Sequence, residues 1–367
     1  MTAGYSFLSR WFNHLFMLAC LFVFGYPAGR LCYWYFQDMK TGIACATAIW
    51  ILAILATRYS FNTPKMKMRY LVVHWMGASF IFASVTLLVD ILRLLISMED
   101  FTAMTLVMVL ALTVLGLAVL LSHVLVVRRL TIPSPKVSRR YRIAQISDVH
   151  IGSRQKGFMQ RIVTKLNSLE PDFIVVTGDL VDSSAVEIGS LESIRALKAT
   201  TLFTIGNHER YADLPKILDM ADSLGMITLR QQTYHSDQLT FSGIDDAEDI
   251  GQVARQLPQL SPHAEKFNVL LYHRPVGWES AIESGIDLML SGHTHNGQIF
   301  PFNLIVKQQF RRIAGLYEHG SARLYVSSGT GTWGPLMRFG SLNEVTLIEL
   351  TPGLQTSVET TSRTPPQ

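Results

Sequence analysis

The sequence predicts an all-α membrane part followed by an α/β domain. Apolar residues are concentrated in long runs within the first third of the chain, whereas short apolar strands alternate with amphipathic helices in the rest. The chain has 367 residues and is 49% hydrophobic, which is too apolar for one soluble domain of that length. Length and composition therefore indicate two or three domains.

Four apolar runs predict about four transmembrane helices, since a spanning helix needs roughly 20 apolar residues. The runs cover residues 11–36, 41–56, 70–89 and 101–127. The second run is short, and a re-entrant hairpin is the alternative for it. A cleaved signal peptide fits poorly, because the first run is too long and three more follow it.

Basic residues in the short loops predict the orientation of these helices. Ten bases lie before the first run, between the second and third runs, or after the fourth: Arg10, Arg58, Lys65, Lys67, Arg69, Arg128, Arg129, Lys136, Arg139 and Arg140. The opposite loops hold only Asp38 with Lys40, and Glu99 with Asp100. The bias predicts that both termini, and hence the C-terminal domain, are cytoplasmic, and the integral membrane protein is expected in a bacterial inner membrane.

The basic character of the chain comes from its membrane part. Residues 1–136 hold 11 of the 32 Lys and Arg but only 4 of the 28 Asp and Glu, so acids exceed bases in the remainder. No nucleic-acid partner is therefore expected for the C-terminal domain. All three cysteines, Cys20, Cys32 and Cys45, lie in the membrane part, which excludes thiolate ligands and disulfides from the C-terminal domain.

Composition sets the expected boundaries: a transmembrane domain at 1–130, a proline-containing linker at 131–140, a catalytic domain at 141–351 and a disordered tail at 352–367. Helices are predicted at 158–168, 187–198 and 214–223. Strands are predicted at 142–147, 173–177, 201–205, 239–243, 268–272, 288–291 and 323–327. This alternation indicates βαβ units and a largely parallel sheet, at least in the first half.

Five strings of polar residues follow predicted strand ends, which is where ligands bind in such folds. They are Asp148-Val-His150, Gly178-Asp179-Leu-Val-Asp182, Gly206-Asn207-His208-Glu209, His273 and Gly292-His293-Thr-His295. Together they supply carboxylate, amide and imidazole groups without sulfur, which suits two borderline-hard divalent cations. The strings therefore favour metal-assisted hydrolysis.

The residue types suggest how such a site is built. Asp148 and His150 are one residue apart, so their side chains would share one side of an extended segment, and His293 and His295 repeat this spacing. Asp179 follows a glycine that permits a sharp turn, and its carboxylate could bridge two cations. Taken singly, each string is more simply a turn or a strand-end histidine; their order and placement together favour one site.

This ordered set resembles the calcineurin-like metallophosphoesterases over roughly residues 141–350. Gly-His-Thr-His followed by Asn-Gly-Gln-Ile-Phe-Pro, with the N-terminal spans, is similar to the membrane-anchored YkuE/YaeI-like phosphoesterase branch. The resemblance implies a four-layer α/β/β/α sandwich and a metal-dependent phosphoesterase. It further implies a first metal bound by Asp148, His150, Asp179 and His295, and a second bound by Asp179, Asn207, His273 and His293.

The same resemblance implies two catalytic residues. His208 would face the substrate, and Asp182 would orient a neighbouring imidazole, with His208 the favoured one. Ser183 and Ser184 follow Asp182, where protein Ser/Thr phosphatases of this family have Arg-Gly. The missing arginine counts against a phosphoprotein substrate. Arg154, Arg210, Arg274, Tyr211 and Trp333 are candidate substrate contacts, the alternative for the arginines being solvated surface charge.

The preferred hypothesis is a membrane-anchored dimetal phosphohydrolase acting on a phosphodiester or pyrophosphate, with lipid-linked esters leading because the enzyme is anchored. The alternatives are a tethered phosphodiesterase for soluble nucleotides, and a membrane sensor or transport component whose metal domain does not turn over. Mn, Fe, Zn and Mg all remain candidates for the two metals. The sequence does not indicate an oligomeric state. At the end of the third apolar run, Asp90 and Arg93 are spaced so that they could pair on one helix face, the favoured alternative being interfacial residues at the end of a span.

Overall fold

The computed structural model describes residues 14–62, 66–154, 156–249 and 251–353. Arg10, Lys65 and most of the predicted disordered tail, residues 354–367, lie outside this part. The chain forms two compact units. The first, the helical unit, contains the N-terminal helices together with Ile299–Pro301 and Trp333–Gly340, and the second, the sheet unit, contains the remainder.

The helical unit has four helices that are long and apolar enough to cross a membrane, as predicted. Their bounds are α1 (His14–Phe36), α2 (Met39–Asn62), α3 (Met66–Leu95) and α4 (Asp100–Leu121). Within α1, Leu21–Gly25 forms a π-helical segment. Helix α2 is continuous over 24 residues, which does not fit the re-entrant alternative.

Small residues line the helix contacts and large apolar side chains face outward, the pattern expected of helices that pack within lipid. Along α4, Ala103, Val107, Ala111 and Ala118 form a buried stripe. Leu94 of α3 and many large apolar residues like it are exposed.

Ion pairs between helices replace a pairing within α3. Asp90 binds the guanidinium of Arg30 on α1 and accepts a hydrogen bond from Tyr26 at 2.6 Å. Arg93 reaches Asp100 at the start of α4, at 2.6 Å. Asp90 and Arg93 therefore each pair with an opposite charge on a neighbouring helix, which replaces the pairing within α3 that their spacing allowed.

Two short segments from the C-terminal part of the chain fold with the helices. The amide of Leu336 donates to Nε2 of His74 at 3.0 Å, and the amide of Arg338 donates to the carbonyl of Ala118 at 2.8 Å. A Cβ at Gly77 would lie 2.8 Å from Cβ of Pro335, so Trp333–Gly340 packs tightly on α3. The helical unit is therefore discontinuous in sequence.

The sheet unit contains two six-stranded sheets. The first has the order β1-β12-β2-β3-β4-β5, and the second has the order β10-β11-β9-β8-β7-β6. The strands are β1 (Leu125–Ser134), β2 (Tyr141–Ile146), β3 (Phe173–Thr177), β4 (Thr200–Thr204), β5 (Ile227–Thr228), β6 (Gln232–His235), β7 (Leu239–Ile244), β8 (Phe267–Tyr272), β9 (Leu288–Ser291), β10 (Gly315–His319), β11 (Ala322–Val326) and β12 (Asn343–Pro352). Strands β2 to β5 are parallel, as predicted.

Helices cover the outer faces of both sheets. The helices of the sheet unit are α5 (Lys156–Ser168), α6 (Asn207–Tyr211), α7 (Leu214–Ser223), α8 (Gln252–Gln256), α9 (Trp278–Glu283) and α10 (Phe302–Gln309), of which α5, α7, α8 and α9 pack on the sheets. One core joins α5 and α7 to the first sheet, a second lies between the sheets, and a third joins α8 and α9 to the second sheet. These layers confirm the predicted α/β/β/α sandwich.

Three parts of the sheet unit differ from the prediction. Residues 125–134 form β1, paired in parallel with β12, where the sequence predicted the end of an apolar run and the start of a linker. Residues 187–198 form two short 3-10 turns, Ile188–Ser190 and Glu192–Ala196, where an α-helix was predicted. Strands β5, β6, β10 and β12 were not predicted.

Candidate metal centre

The seven predicted metal ligands all lie just beyond strand ends, and Asn207 is also the first residue of α6. Asp148 and His150 follow β2, Asp179 follows β3 and Asn207 follows β4. His273 follows β8, and His293 and His295 follow β9. Because these strands are parallel neighbours within each sheet, their carboxyl ends bring the seven side chains to one edge of the sandwich.

The side chains form two donor groups that could each hold a metal ion. In the first group, Nε2 of His295 lies 2.9 Å from Nε2 of His150 and 3.4 Å from Oδ1 of Asp148. In the second, Nε2 of His273 lies 3.2 Å from Oδ2 of Asp179 and 3.2 Å from Nδ1 of His293. Oδ2 of Asp179 also lies 3.8 Å from Nε2 of His150, so this oxygen is placed between the groups.

The protonation of His273 tests whether these donors suit a cation. Its Nδ1 is 2.8 Å from the carbonyl oxygen of Thr177, so Nδ1 carries the hydrogen in the neutral ring and Nε2 has the lone pair. That lone pair faces an Asp179 oxygen, the Asn207 Oδ1 at 3.1 Å and a ring nitrogen of His293. Convergent acceptors of this kind fit a bound cation.

Five of the seven ligands have a left-handed backbone, with φ between 50° and 72°: Asp148, His150, Asp179, His293 and His295. Such values cost about 1–3 kcal/mol per non-glycine residue and persist only where the surroundings impose them. Asp148 and His150 are therefore not in an extended segment, and the reason given for their shared direction was wrong. Tight loop backbone brings both side chains inward instead.

Glycines allow the ligand loops to approach each other closely. A Cβ at Gly292 would collide with Ser147 Oγ and Asp148 Oδ2, and one at Gly206 would lie 2.7 Å from the backbone nitrogen of Asp179. Neither position has room for a side chain. These two glycines are thus required by contact between loops rather than by φ alone.

Burial and nearby carboxylates shift the pKa values of the ligands. Burial opposes protonation of His273, but Asp179 and Asp148 raise its pKa to about 10. Burial likewise opposes protonation of His150, but Asp182 raises its pKa to about 9. The pKa of His293 is held well below its usual value by burial and by the charge on His273. A bound cation would therefore compete with protons for His150 and His273.

Asp182 contacts two imidazoles rather than one. Its Oδ1 lies 3.1 Å from Nδ1 of His208 and also accepts a hydrogen bond from Nδ1 of His150. Its Oδ2 accepts from the amide of Ser153 at 3.2 Å and from the Ser153 hydroxyl. The His208 side chain is 19% exposed, whereas that of His150 is only 1% exposed. His208 therefore lies at the open side of the centre.

Comparison with known proteins identifies the domain. Residues 141–297 match the calcineurin-like phosphoesterase family. An uncharacterized metallophosphoesterase of Aquifex aeolicus is 30% identical over 243 residues, which cover 62% of this chain and 93% of the relative. The chain belongs to this family. The resemblance recognised in the sequence is confirmed, and the domain is that of a metal-dependent phosphoester hydrolase, whose family uses a dimetal centre.

Two further relatives are longer than the matched region. An uncharacterized metallophosphoesterase of Helicobacter pylori is 36% identical over 232 residues, covering 59% of this chain and 61% of the relative. A transmembrane protein with metallophosphoesterase domain of Danio rerio is 34% identical over 246 residues, covering 59% and 54%. The match thus spans less than two thirds of either relative. Such relatives and the four apolar helices indicate membrane association.

Two acidic residues of the sheet unit, Glu209 and Asp246, had no predicted role. Glu209 is buried and accepts hydrogen bonds from four backbone amides, those of Asp179, Leu180, Val181 and Gly206. Asp246 follows β7, and its position after a strand could have singled it out. Its carboxylate lies 2.6 Å from Nε of Arg274 and 3.1 Å from Nη2 of Arg210.

The predicted substrate contacts have different surroundings. Arg210 and Arg274 are both held by Asp246, so neither is a freely solvated charge. Tyr211 is exposed and donates to Glu248 at 2.9 Å. Arg154 is buried, with its guanidinium 4.4 Å from the ring centroid of Phe158. Trp333 belongs to the helical unit.

Proposed function

We propose that this chain is a membrane-anchored dimetal phosphohydrolase that cleaves a phosphodiester or a pyrophosphate. The observation that carries the proposal is the pair of donor groups on either side of Oδ2 of Asp179. Asp148, His150, Asp179 and His295 would hold one metal, and Asp179, Asn207, His273 and His293 the other. When bound, two divalent cations supply Lewis acidity and lower the pKa of a water molecule toward neutrality.

Protein groups fix how these ligands are presented. The amide of His208 donates to Oδ1 of Asp179 at 2.9 Å, which leaves Oδ2 directed at the two donor groups. The carbonyl of Thr177 holds Nδ1–H of His273, which directs its Nε2 lone pair inward. Asp182 does the same for His150. Such outer contacts fix ring orientation and raise the basicity of the ligand.

His208 would act on the substrate without binding metal. With Nδ1 held by Asp182, Nε2 lies 4.0 Å from Oδ2 of Asp179, where a hydrogen on Nε2 would face a phosphoester at the centre. That hydrogen can be donated to a phosphoryl oxygen or to the leaving oxygen, which is general acid catalysis. Arg274 and Arg210, fixed by Asp246, are positioned to bind further phosphate oxygens.

The proposed substrate is a lipid-linked phosphoester. Four apolar helices in the same chain support this, since a bilayer-bound enzyme meets bilayer-bound substrates at high local concentration. The serines after Asp182 stand where phosphoprotein phosphatases have a phosphate-binding arginine. The distribution of basic residues supports a cytoplasmic sheet unit, and the proposed location is a bacterial inner membrane.

Two substitutions test the mechanism on the full-length protein in detergent with Mn²⁺. We expect Asp179→Asn and His208→Ala each to reduce hydrolysis of bis(4-nitrophenyl) phosphate by at least about 100-fold. His208→Ala should retain its metal, measured by elemental analysis, whereas Asp179→Asn should lose part of it. The exposed His235 provides a matched control, His235→Ala.

Normal turnover in either active-site variant would overturn this assignment. Absence of turnover by the native protein despite full metal occupancy would favour the sensor alternative. Faster hydrolysis of soluble cyclic nucleotides than of lipid-linked phosphoesters would favour the tethered nucleotide phosphodiesterase.

A further inference from the structure

Helix α10 of the sheet unit exposes large apolar side chains. Phe302, Leu304 and Ile305 are 41%, 52% and 59% exposed, and no residue of the helix is buried. In α5, by contrast, apolar side chains such as Met159 and Ile162 are fully buried in the core. An exposed apolar cluster on a helix that contributes nothing to the core indicates a binding surface.

The polarity of α10 changes along its axis. The apolar cluster occupies the first turn, whereas Lys307, Gln308 and Gln309 occupy the second and are exposed. Arg311, also exposed, follows the helix. Residues 293–317 contain no Asp or Glu, and Glu279, the acid that interacts with Arg311, is paired with Arg312 at 2.7 Å. A surface that is apolar at one end and basic at the other complements a bilayer, with acyl chains beneath anionic phosphates.

Chain continuity favours the same occupant. Pro301, the residue before α10, belongs with Phe300 to the helical unit that carries the four candidate spans. Phe300 is itself half exposed, which extends the apolar sequence backwards by two residues. The apolar turn is therefore joined by one peptide bond to the part of the chain that associates with the membrane.

We infer that α10 is an interfacial membrane-contact helix. Its first turn, with Phe302, Leu304 and Ile305, enters the acyl-chain boundary, while Lys307 and Arg311 bind lipid phosphates. At about 1.5 Å rise per residue, the three residues from Leu304 to Lys307 span the few ångströms between these two layers. The inference rests on membrane association and is independent of whether the centre hydrolyses a phosphoester.

The other end of α10 reaches the metal centre. Phe310, the residue after the helix, is buried with its ring centroid 5.1 Å from that of the predicted ligand His293. The hydroxyl of Thr294, between the two loop histidines, donates to the carbonyl of Ile313 at 2.5 Å. A helix seated in lipid at its first turn is thus anchored beside the centre at its last.

Depth-dependent quenching tests the contact. The native cysteines Cys20, Cys32 and Cys45 are replaced by serine, and a single cysteine at Ile305 or Leu304 is labelled with nitrobenzoxadiazole. Ile227, an exposed apolar residue on β5, gives the matched control position. The full-length protein is placed in nanodiscs of phosphatidylcholine and phosphatidylglycerol containing doxyl-labelled lipid.

We expect severalfold stronger quenching at Ile305 and Leu304 than at Ile227. Replacing Lys307 and Arg311 by glutamine should weaken the dependence of quenching on phosphatidylglycerol. Equal quenching at Ile305 and Ile227 would overturn the inference. A disulfide between the cysteines introduced at position 305 of two chains, without quenching, would also overturn it, since a second copy of the chain would then cover the helix. Hydrolysis of a soluble phosphodiester by the same samples reports separately on the proposed function.

Discussion

Glu209 joins two ligand loops through their backbone amides. One carboxylate oxygen accepts from Asp179 and Gly206, and the other accepts from Leu180 and Val181, at 2.7–3.1 Å. The buried Glu209 side chain therefore stabilises the turn in which Asp179 has its left-handed φ. The side chain touches neither donor group, so it is a positioning residue.

Glu209→Gln should destabilise the protein and loosen the centre. The NH2 group of glutamine replaces one carboxylate oxygen and cannot accept hydrogen bonds, so the two buried N–H groups that faced this oxygen lose their partner, at a cost of about 2–4 kcal/mol. We expect a lower thermal midpoint and weaker Mn²⁺ affinity, measured by unfolding and by metal titration. Exposed Glu265 offers the control Glu265→Gln. Unchanged metal affinity would show that the four amides do not depend on the charge.

The histidine ligands predict opposite effects of pH with and without metal. In the protein from which a chelator has removed the metal, the folded-state pKa values of about 9 for His150 and about 10 for His273 exceed the ordinary 6.5. The folded state therefore binds these two protons more tightly than the unfolded state does. Their contribution to the free energy of unfolding is full below pH 6.5 and is lost as the pH rises through 9 to 10. With metal bound, alkaline pH removes competing protons instead.

Thermal unfolding between pH 6 and 10 measures this difference. The midpoint of the chelated protein should fall across the range, and that of the Mn²⁺-loaded protein should not. A rising midpoint in the chelated protein would contradict the assigned charge state.

At this scale the sequence predicted which residues meet but not how. The strand-end rule brought Asp148, Asn207 and His273 to one edge from residue type and order alone. The left-handed backbone at Asp148 and His150 could not be read from the sequence, because contacts between loops impose it. The contact between Asp182 and His150 was missed for the same reason, since it forms between two loops whose residues are 32 positions apart in sequence.

Among the elements, strand ends and the glycines that follow them control the site. Gly292 separates β9 from two ligands, and its Cα faces Ser147 and Asp148 on the neighbouring loop. Strands with a buried apolar run, such as β3 and β8, were predicted within one residue. Strands β6 and β10 were missed because they lie at sheet edges and are largely polar, which leaves no hydrophobic run to detect.

Gly292→Ala should displace the loop that carries His293 and His295. The added methyl group would overlap Ser147 Oγ and Asp148 Oδ2, so backbone must move and the first donor group must open. We expect loss of at least one metal per chain by elemental analysis, with activity reduced about 100-fold or more. Gly157→Ala in α5, which has no atom within 4 Å of the added Cβ, is the control and should behave as native.

At the scale of the whole molecule, the first sheet begins earlier in the sequence than predicted. Strand β1, which lies before the predicted catalytic domain, pairs with β12 along ten residues and buries Ile132 completely. This strand was not predicted, because residues 125–134 combine the end of an apolar run that predicted a helix with the start of a proline-containing linker. The predicted start of the domain near residue 141 therefore omits part of its first sheet.

Truncation tests the contribution of β1. A chain starting at Val124 keeps β1, whereas one starting at Val137 lacks it and exposes the edge of β12. We expect the shorter chain to be less stable by at least about 2 kcal/mol, from the burial of Ile132 alone. Urea unfolding and soluble yield measure the difference. Equal stability of the two chains would mean that β1 adds nothing to the sheet.

The segment Trp333–Gly340 limits how this protein can be altered. It packs against α3 and α4, although some 200 residues separate it from them in sequence. Exchange of the four helices for an unrelated anchor, by recombination or by design, leaves the segment without Gly77, His74 and Ala118. Substitutions in α3 are consequently constrained by residues encoded far downstream.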